Sequence, residues 1–118
     1  IDSQWVPGVL NYLSSNHNKQ KFFLVTATPQ QEIEDILVSL KIKHFFKEVV
    51  GSPTTKVNAI KGILNKHSIL SKNSIMIGDS ISDCNAANIN NVQFVLRKTV
   101  LNKKLQKSLN CLMLENFL

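Results

Sequence analysis

A short apolar run that leads into a glycine and two carboxylates is the part of this sequence best suited to chemistry. Residues 75–77 predict a buried parallel strand, and Gly78 allows a sharp exit that leaves Asp79 at the carboxyl end, where open α/β sheets bind ligands. Carboxylates of this kind suit Mg²⁺, which keeps several waters and accepts further oxygens from a phosphate. Ser82 can cap a helix that starts at Asp83. The second acid therefore either takes part in the chemistry or only stabilises the helix N-terminus.

The composition indicates one ordinary globular domain, because 43% of the 118 residues are hydrophobic and only 19% are charged. No apolar run reaches the ~20 residues of a membrane span, and no signal-type segment is present, so we expect a soluble protein without a membrane partner. Cys84 and Cys111 lack metal-ligand spacing, which favours reduced thiols in a cytoplasm. The net charge of +6 comes from lysines spread from Lys19 to Lys107. Their scatter argues against a nucleic-acid partner.

Alternating helical and strand patterns predict a doubly wound parallel α/β sheet. The firmest helix follows Thr28-Pro29-Gln30-Gln31, a capping-box pattern with proline at the first helical position. Asparagine at 90 and 91 predicts a helix end with a left-handed residue. The predicted strands are 22–26, 48–50, 74–78 and 92–96, with a weak edge strand over 112–114. The predicted helices are 7–16, the helix after Thr28 to about 40, a helix capped by Thr55, 83–88 and 101–109. The inner face of the helix after Thr28 carries Ile33, Ile36, Leu37 and Leu40, and that of the helix after Thr55 carries Val57, Ile60 and Leu64.

The predicted order of elements brings several polar side chains to one edge of the sheet. Thr26 ends a strand, Lys56 starts a helix, and Asp79 with Asp83 follows another strand. A hydroxyl, an ammonium and two acids around one hollow can hold a phosphate together with Mg²⁺. Each of these residues also has an ordinary structural explanation, since a threonine at the end of a strand or a lysine at the surface needs no function. The loop before Lys56 lacks the second glycine of a phosphate-binding P-loop.

In order and spacing these residues resemble the haloacid dehalogenase superfamily of phosphohydrolases. Leu24-Val25-Thr26 is similar to its second motif, Lys56 to its third, and Gly78-Asp79-Ser80-Ile81-Ser82-Asp83 to its fourth, a Gly-Asp-x-x-x-Asp loop. Residues 6–13 and 45–52 resemble further stretches of the family core. The resemblance covers about residues 5–115.

The resemblance implies a Rossmann-like core and a Mg²⁺-dependent phosphatase or phosphotransferase that acts on a small phosphate monoester through an aspartyl-phosphate. Thr26, Ala27 and Lys56 are then expected to bind the phosphoryl group, and Asp79 to ligate Mg²⁺. Lys56 and Asp83 are expected to be catalytic, with Asp83 orienting Lys56 or a metal-bound water. The substrate is set by cap residues that this sequence does not contain.

One family motif is absent from these 118 residues. The first motif is an apolar strand followed by Asp-x-Asp, and the four aspartates here are Asp2, Asp35, Asp79 and Asp83, none of which forms that pattern. The resemblance places the nucleophile strand and the cap upstream of Ile1, so that the chain is one partial core domain and inactive alone.

The missing strand belongs in the family between the strands ending at Thr26 and Asp79, so the sheet is expected to be incomplete at its centre. Unpaired backbone groups cost about 1 to 3 kcal/mol each when buried. We therefore expect another copy or an upstream segment to fill the gap, rather than direct pairing of the two strands. A non-catalytic binding or regulatory module, or half of an enzyme completed by another chain, remains the alternative function.

Overall fold

Helices and strands alternate along the computed structural model, which describes residues 9–16, 19–98, 102–108 and 112–114. Every paired strand is parallel to its neighbour, which confirms the predicted α/β class. The described residues divide into two compact units, the first up to residue 55 and the second from residue 56. In the described ranges, no helix has the length and apolar character needed to cross a bilayer.

The first unit is a two-stranded parallel sheet with its helices. Its elements are α1 (Val9–Asn16), β1 (Phe22–Pro29), α2 (Gln30–Ser39), a 3₁₀ turn (Lys43–Phe45) and β2 (Phe46–Ser52). The core forms where α2 lays Ile33 and Leu37 beside Ile42, at the i and i+4 spacing that the sequence predicted. Leu24 of β1 and Val49 of β2 pack against these three residues.

The second unit is a three-stranded parallel sheet in the order β3, β4, β5. Its elements are α3 (Lys56–Lys66), a 3₁₀ turn (Ser71–Asn73), β3 (Ile75–Gly78), α4 (Ile81–Ile89), β4 (Gln93–Arg97), α5 (Lys103–Ser108) and β5 (Leu112–Leu114). The edge position of β5 is confirmed. Among the described residues of this unit, the buried apolar side chains are Ala59, Ile60, Ile63, Cys84, Ala86, Ala87, Val92, Phe94, Val95 and Leu96.

Three helices end in the same way, each with a non-glycine residue in the left-handed region. Lys41, Ser68 and Asn91 have φ between 54° and 61°. After α4, the Asn91 N–H donates to the carbonyl of Asn88 and the Val92 N–H to that of Ala87. This is a Schellman motif, with buried Val92 providing its usual apolar contact. The predicted left-handed asparagine at the end of α4 is confirmed.

The predicted burial of two strands is wrong. Ile75 is 63% exposed and Ile77 is 42% exposed, because α4 packs on the opposite face of β3, where a side chain at Gly78 would meet Asp83. Successive strand residues point to opposite faces, so only Met76 and Gly78 share the covered side. The apolar residues 22–25 of β1 are likewise only half-buried, in a two-stranded sheet where β1 pairs along one edge.

The predicted N-terminus of α2 is also wrong. β1 continues to Pro29, and α2 begins at Gln30 with Pro29 as an N-cap that makes no side-chain hydrogen bond. Thr28 does not cap the helix, because it lies within β1, one residue before the N-cap. Its hydroxyl instead receives a hydrogen bond from Thr26.

The family resemblance predicts that a strand is missing between β1 and β3. These two strands belong to different sheets, β1 with β2 and β3 with β4 and β5. In the part of the chain that the structure describes, no backbone ladder therefore makes them one sheet. A strand that fills the gap stays a prediction.

Candidate active site

The centre of the candidate site is an ion pair between the first turns of α3 and α4. Lys56 is the first residue of α3, and its Nζ lies 2.8 Å from Oδ1 of Asp83. The two side chains are 24% and 11% exposed. An ion pair at this burial is screened less by water than a surface pair, so it can fix the direction of the ammonium.

Two serine hydroxyls connect the ends of this ion pair into a closed ring. Lys56 Nζ donates to Ser82 Oγ at 3.0 Å, and Ser82 Oγ lies 3.0 Å from Ser80 Oγ. Ser80 Oγ in turn donates to Asp83 Oδ2 at 3.0 Å. Because the Ser80 proton goes to Asp83, the proton between the two serines comes from Ser82. Two of the three Lys56 N–H donors are thus engaged, which leaves one further donor.

Ser80, rather than the predicted Ser82, caps α4. Its Oγ accepts the backbone N–H of Asp83 at 3.3 Å, and the helix begins at Ile81 instead of Asp83. The Ser80 cap places Asp83 in the first turn, where its charge also faces the helix dipole. The two readings of Asp83 are therefore compatible: it stabilises the start of α4 and it holds Lys56.

Gly78 makes room for Asp83. A Cβ at position 78 would lie 2.6 Å from both Cβ and Oδ2 of Asp83. Contacts this short do not occur, so only glycine lets β3 pass under the carboxylate. The glycine of the motif is required here for space as well as for the turn.

Asp79 directly follows β3, as predicted, and is exposed. Its backbone N–H donates to Asp83 Oδ2 at 3.3 Å. Both oxygens of Asp83 therefore accept bonds from protein donors, whereas the exposed Asp79 carboxylate can offer its oxygens to a cation. Within the described ranges, no group of three or more His, Cys, Asp or Glu could hold a metal. One carboxylate fits Mg²⁺ only as a partial ligand set, completed by waters, a phosphate and other protein groups.

Thr26 and Ala27 lie in an irregular stretch of β1 in the first unit. The regular pairing with β2 stops at Val25 opposite Val50 and resumes at Pro29 opposite Ser52. The three residues between them bulge out of the ladder, so Thr26 stands where the regular strand ends even though β1 continues. The Thr26 hydroxyl accepts the Thr28 N–H at 3.2 Å.

A residue that the sequence interpretation missed closes the loop after Thr26. The side-chain amide of Gln30 donates to the Val49 carbonyl at 2.9 Å and accepts the Gly51 N–H at 2.6 Å. The Gln30 side chain thus makes the hydrogen bonds that a neighbouring strand would make to the backbone at the end of β2. Glycine is needed at 51 because a Cβ would lie 2.4 Å from the Thr28 carbonyl oxygen. No sequence signal pairs Gln30 with residues 19 and 21 positions away.

Asn102 was also missed. Its side chain donates to the carbonyl of Asp79. It falls at the start of the helix predicted over 101–109, one residue before α5 begins, and no sequence pattern there indicates a bond to a distant carbonyl.

Comparison with known proteins identifies the family of this chain. The family model described as haloacid dehalogenase-like hydrolase matches residues 2–97. A phosphoglycolate phosphatase of Aliivibrio fischeri is 33% identical over 91 residues, which are 72% of this chain and 40% of that protein. The chain therefore spans less than half the length of this curated relative.

Solved structures show the same fold. A haloacid dehalogenase-like hydrolase from Streptococcus pneumoniae superposes with a TM-score of 0.80 at 20% identity, over 93% of this chain and 55% of that one. A Haemophilus somnus protein described as a predicted phosphoglycolate phosphatase gives 0.82 at 21% identity, over 94% and 53%.

The chain belongs to the haloacid dehalogenase-like hydrolase family, as the spacing of its motifs predicted. Its strands and helices form part of the Rossmann-like core of that family.

Proposed function

We propose that the complete protein is a Mg²⁺-dependent phosphatase or phosphotransferase that acts on a small phosphate monoester. The observation that supports this most directly is the Lys56–Asp83 ion pair beside the exposed Asp79. It presents one oriented cation and one open carboxylate at the end of a parallel strand, where α/β folds bind ligands.

Each residue has a role in this proposal. Lys56 neutralises the phosphoryl oxygens with its remaining N–H, and Asp83 keeps the ammonium in place. Thr26 and the backbone at Ala27 bind the phosphoryl group. Asp79 is the carboxylate that this chain offers to Mg²⁺, which, when bound, would polarise a phosphoryl oxygen.

The attacking group is proposed to be an aspartate of an Asp-x-Asp motif outside these residues, since the printed sequence contains none. It would form an aspartyl-phosphate. In this proposal, residues 1–118 are one partial core domain, and the nucleophile strand and the cap precede them. A cytoplasmic location stays a prediction from the cysteine usage.

Phosphoglycolate is the first substrate to test, because the Aliivibrio fischeri relative bears the name phosphoglycolate phosphatase. Sugar phosphates and nucleotides complete a suitable panel. Phosphate release should require MgCl₂ and should stop in EDTA.

Lys56→Ala in the complete protein should lower kcat by on the order of 10²- to 10³-fold, which is typical for a group that stabilises developing charge. Lys61→Ala is the matched control, since Lys61 is an exposed lysine of the same helix. Equal activity of the two variants would refute the site. If the wild-type protein hydrolyses nothing in the panel but still binds phosphate, the alternative of a non-catalytic binding module is favoured.

A further inference from the structure

Asn102 is a buried asparagine whose side chain joins the ends of β3 and β4. It is 8% exposed, and its Nδ2 donates to the carbonyl oxygens of Asp79 and Arg97, each at 2.9 Å. Gln106 Nε2 donates to Asn102 Oδ1 at 2.7 Å, which sets the orientation of the amide. Both N–H protons of the amide are therefore aimed at strand-end carbonyls.

These carbonyls belong to the residues just beyond the last pair that β3 and β4 form with each other, although Arg97 also pairs with Leu114 of β5. The ladder between β3 and β4 ends with Gly78 opposite Leu96. Beyond that pair β3 and β4 no longer bond each other, and a carbonyl that is shielded from water without a donor costs about 1 to 3 kcal/mol. The amide of Asn102 supplies the donors that a continued ladder would supply.

The peptide groups on either side of Asp79 are consequently held. The Asp79 N–H donates to Asp83 Oδ2 at 3.3 Å, and the Asp79 carbonyl accepts from Asn102. With both backbone groups bonded, rotation of the Asp79 backbone is restricted. The direction in which its exposed carboxylate leaves the chain is then set by Asp83 on one side and Asn102 on the other.

We propose that Asn102 is a positioning residue that fixes Asp79 for metal binding. It lies beyond residues 2–97, the part of the chain that the family match covers. Asn102 acts through the Asp79 backbone and needs no contact with substrate. The inference rests on the proposed function only in taking Asp79 as a Mg²⁺ ligand.

Removal of groups that orient metal ligands commonly weakens metal binding by about 10- to 100-fold. Asn102→Ala in the complete protein should therefore weaken Mg²⁺ binding about tenfold. Asn102→Asp keeps the shape but has no N–H to donate, and we expect the same loss. Asn90→Ala is the matched control: Asn90 Nδ2 also donates to two carbonyls of the second unit, those of Val57 and Ala86, away from Asp79.

The test uses two measurements on the complete protein, neither of which needs turnover. The first is amide hydrogen exchange of the peptide covering 78–83 without metal, and the second is calorimetric titration with MgCl₂ in the presence of inorganic phosphate. We expect faster exchange and about tenfold weaker Mg²⁺ binding in both Asn102 variants. Asn90→Ala should leave both readouts within about twofold of wild type.

Unchanged exchange at 78–83 in Asn102→Ala would overturn the proposal. Faster exchange with unchanged Mg²⁺ affinity would also overturn it, because Asn102 would then be structural only. A wild-type protein that binds no Mg²⁺ contradicts the proposed function instead, and exchange alone then decides whether Asn102 holds the Asp79 backbone.

Discussion

Replacing Gly78 by alanine should break the Lys56–Asp83 arrangement without touching either residue. The added Cβ would lie 2.6 Å from Cβ and 2.7 Å from Cγ of Asp83. Carbon atoms pack best at about 3.5 to 4.0 Å, so the Asp83 side chain must retreat by about 1 Å. The clash includes the Cβ of Asp83, which a change of rotamer cannot move.

The expected loss of stability comes from the contact between Asp83 and Lys56. A retreat of about 1 Å lengthens the 2.8 Å contact with Lys56 beyond hydrogen-bonding range. Hydrogen bonds to charged groups contribute about 1.5 to 3 kcal/mol, and overpacking alone costs about 1 to 3 kcal/mol. We expect Gly78→Ala to lower the free energy of unfolding of the complete protein by roughly 2 to 4 kcal/mol, measured by urea denaturation.

Gly62→Ala is the matched control within the same unit. Gly62 lies in the middle of α3, and a Cβ there would meet nothing within 4 Å. Glycine inside a helix is less favourable than alanine by about 0.5 to 1 kcal/mol, so this variant should gain stability. In an Asp83→Gly background, Gly78→Ala should cost much less. If Gly78→Ala and Gly62→Ala shift the urea midpoint alike, Asp83 does not lie over Gly78.

Three further predictions concern stability and activity. Gly51→Ala should destabilise the complete protein by about 3 kcal/mol in urea denaturation, because its Cβ would lie 2.4 Å from the rigid Thr28 carbonyl; an unchanged midpoint would contradict that approach. Lys41→Gly or Ser68→Gly should raise the free energy of unfolding by about 0.5 kcal/mol, since glycine removes the penalty of a positive φ at a helix end, and a loss of stability would refute this. The 118-residue chain alone should not hydrolyse an aryl phosphate; turnover that disappears in Asp2→Asn would make Asp2 the nucleophile.

Local patterns predicted much of the fold. The i, i+4 spacing of Ile33 and Leu37 identified the buried face of α2, and Asn91 identified the end of α4, because each depends on neighbouring residues in the chain. The burial of β3 was predicted wrongly from Ile75 and Ile77. An apolar run shows that a strand prefers to be covered on both faces, but the cover comes from elements far away in sequence.

The candidate site was also predicted only in part from the sequence. The motif residues Lys56, Asp79 and Asp83 were predicted by spacing, and the structure places Lys56 and Asp83 in contact. Gln30 and Asn102 were not predicted, because their role is to bond backbone carbonyls brought near only by tertiary folding. A single asparagine or glutamine has no sequence pattern that distinguishes such a bond from a solvated side chain.

Phosphate release by Asp79→Ala shows whether Asp79 is the carboxylate on which Mg²⁺-dependent activity depends. The measurement is the initial rate of phosphate release from phosphoglycolate, or the best substrate of the panel, by the complete protein in saturating MgCl₂. Asp35→Ala is the control, since Asp35 is an exposed acid of α2 that accepts a hydrogen bond from Gln31 of the same helix. We expect full activity for Asp35→Ala and loss of Mg²⁺-dependent release for Asp79→Ala. Near-wild-type release by Asp79→Ala would contradict the assignment of the site.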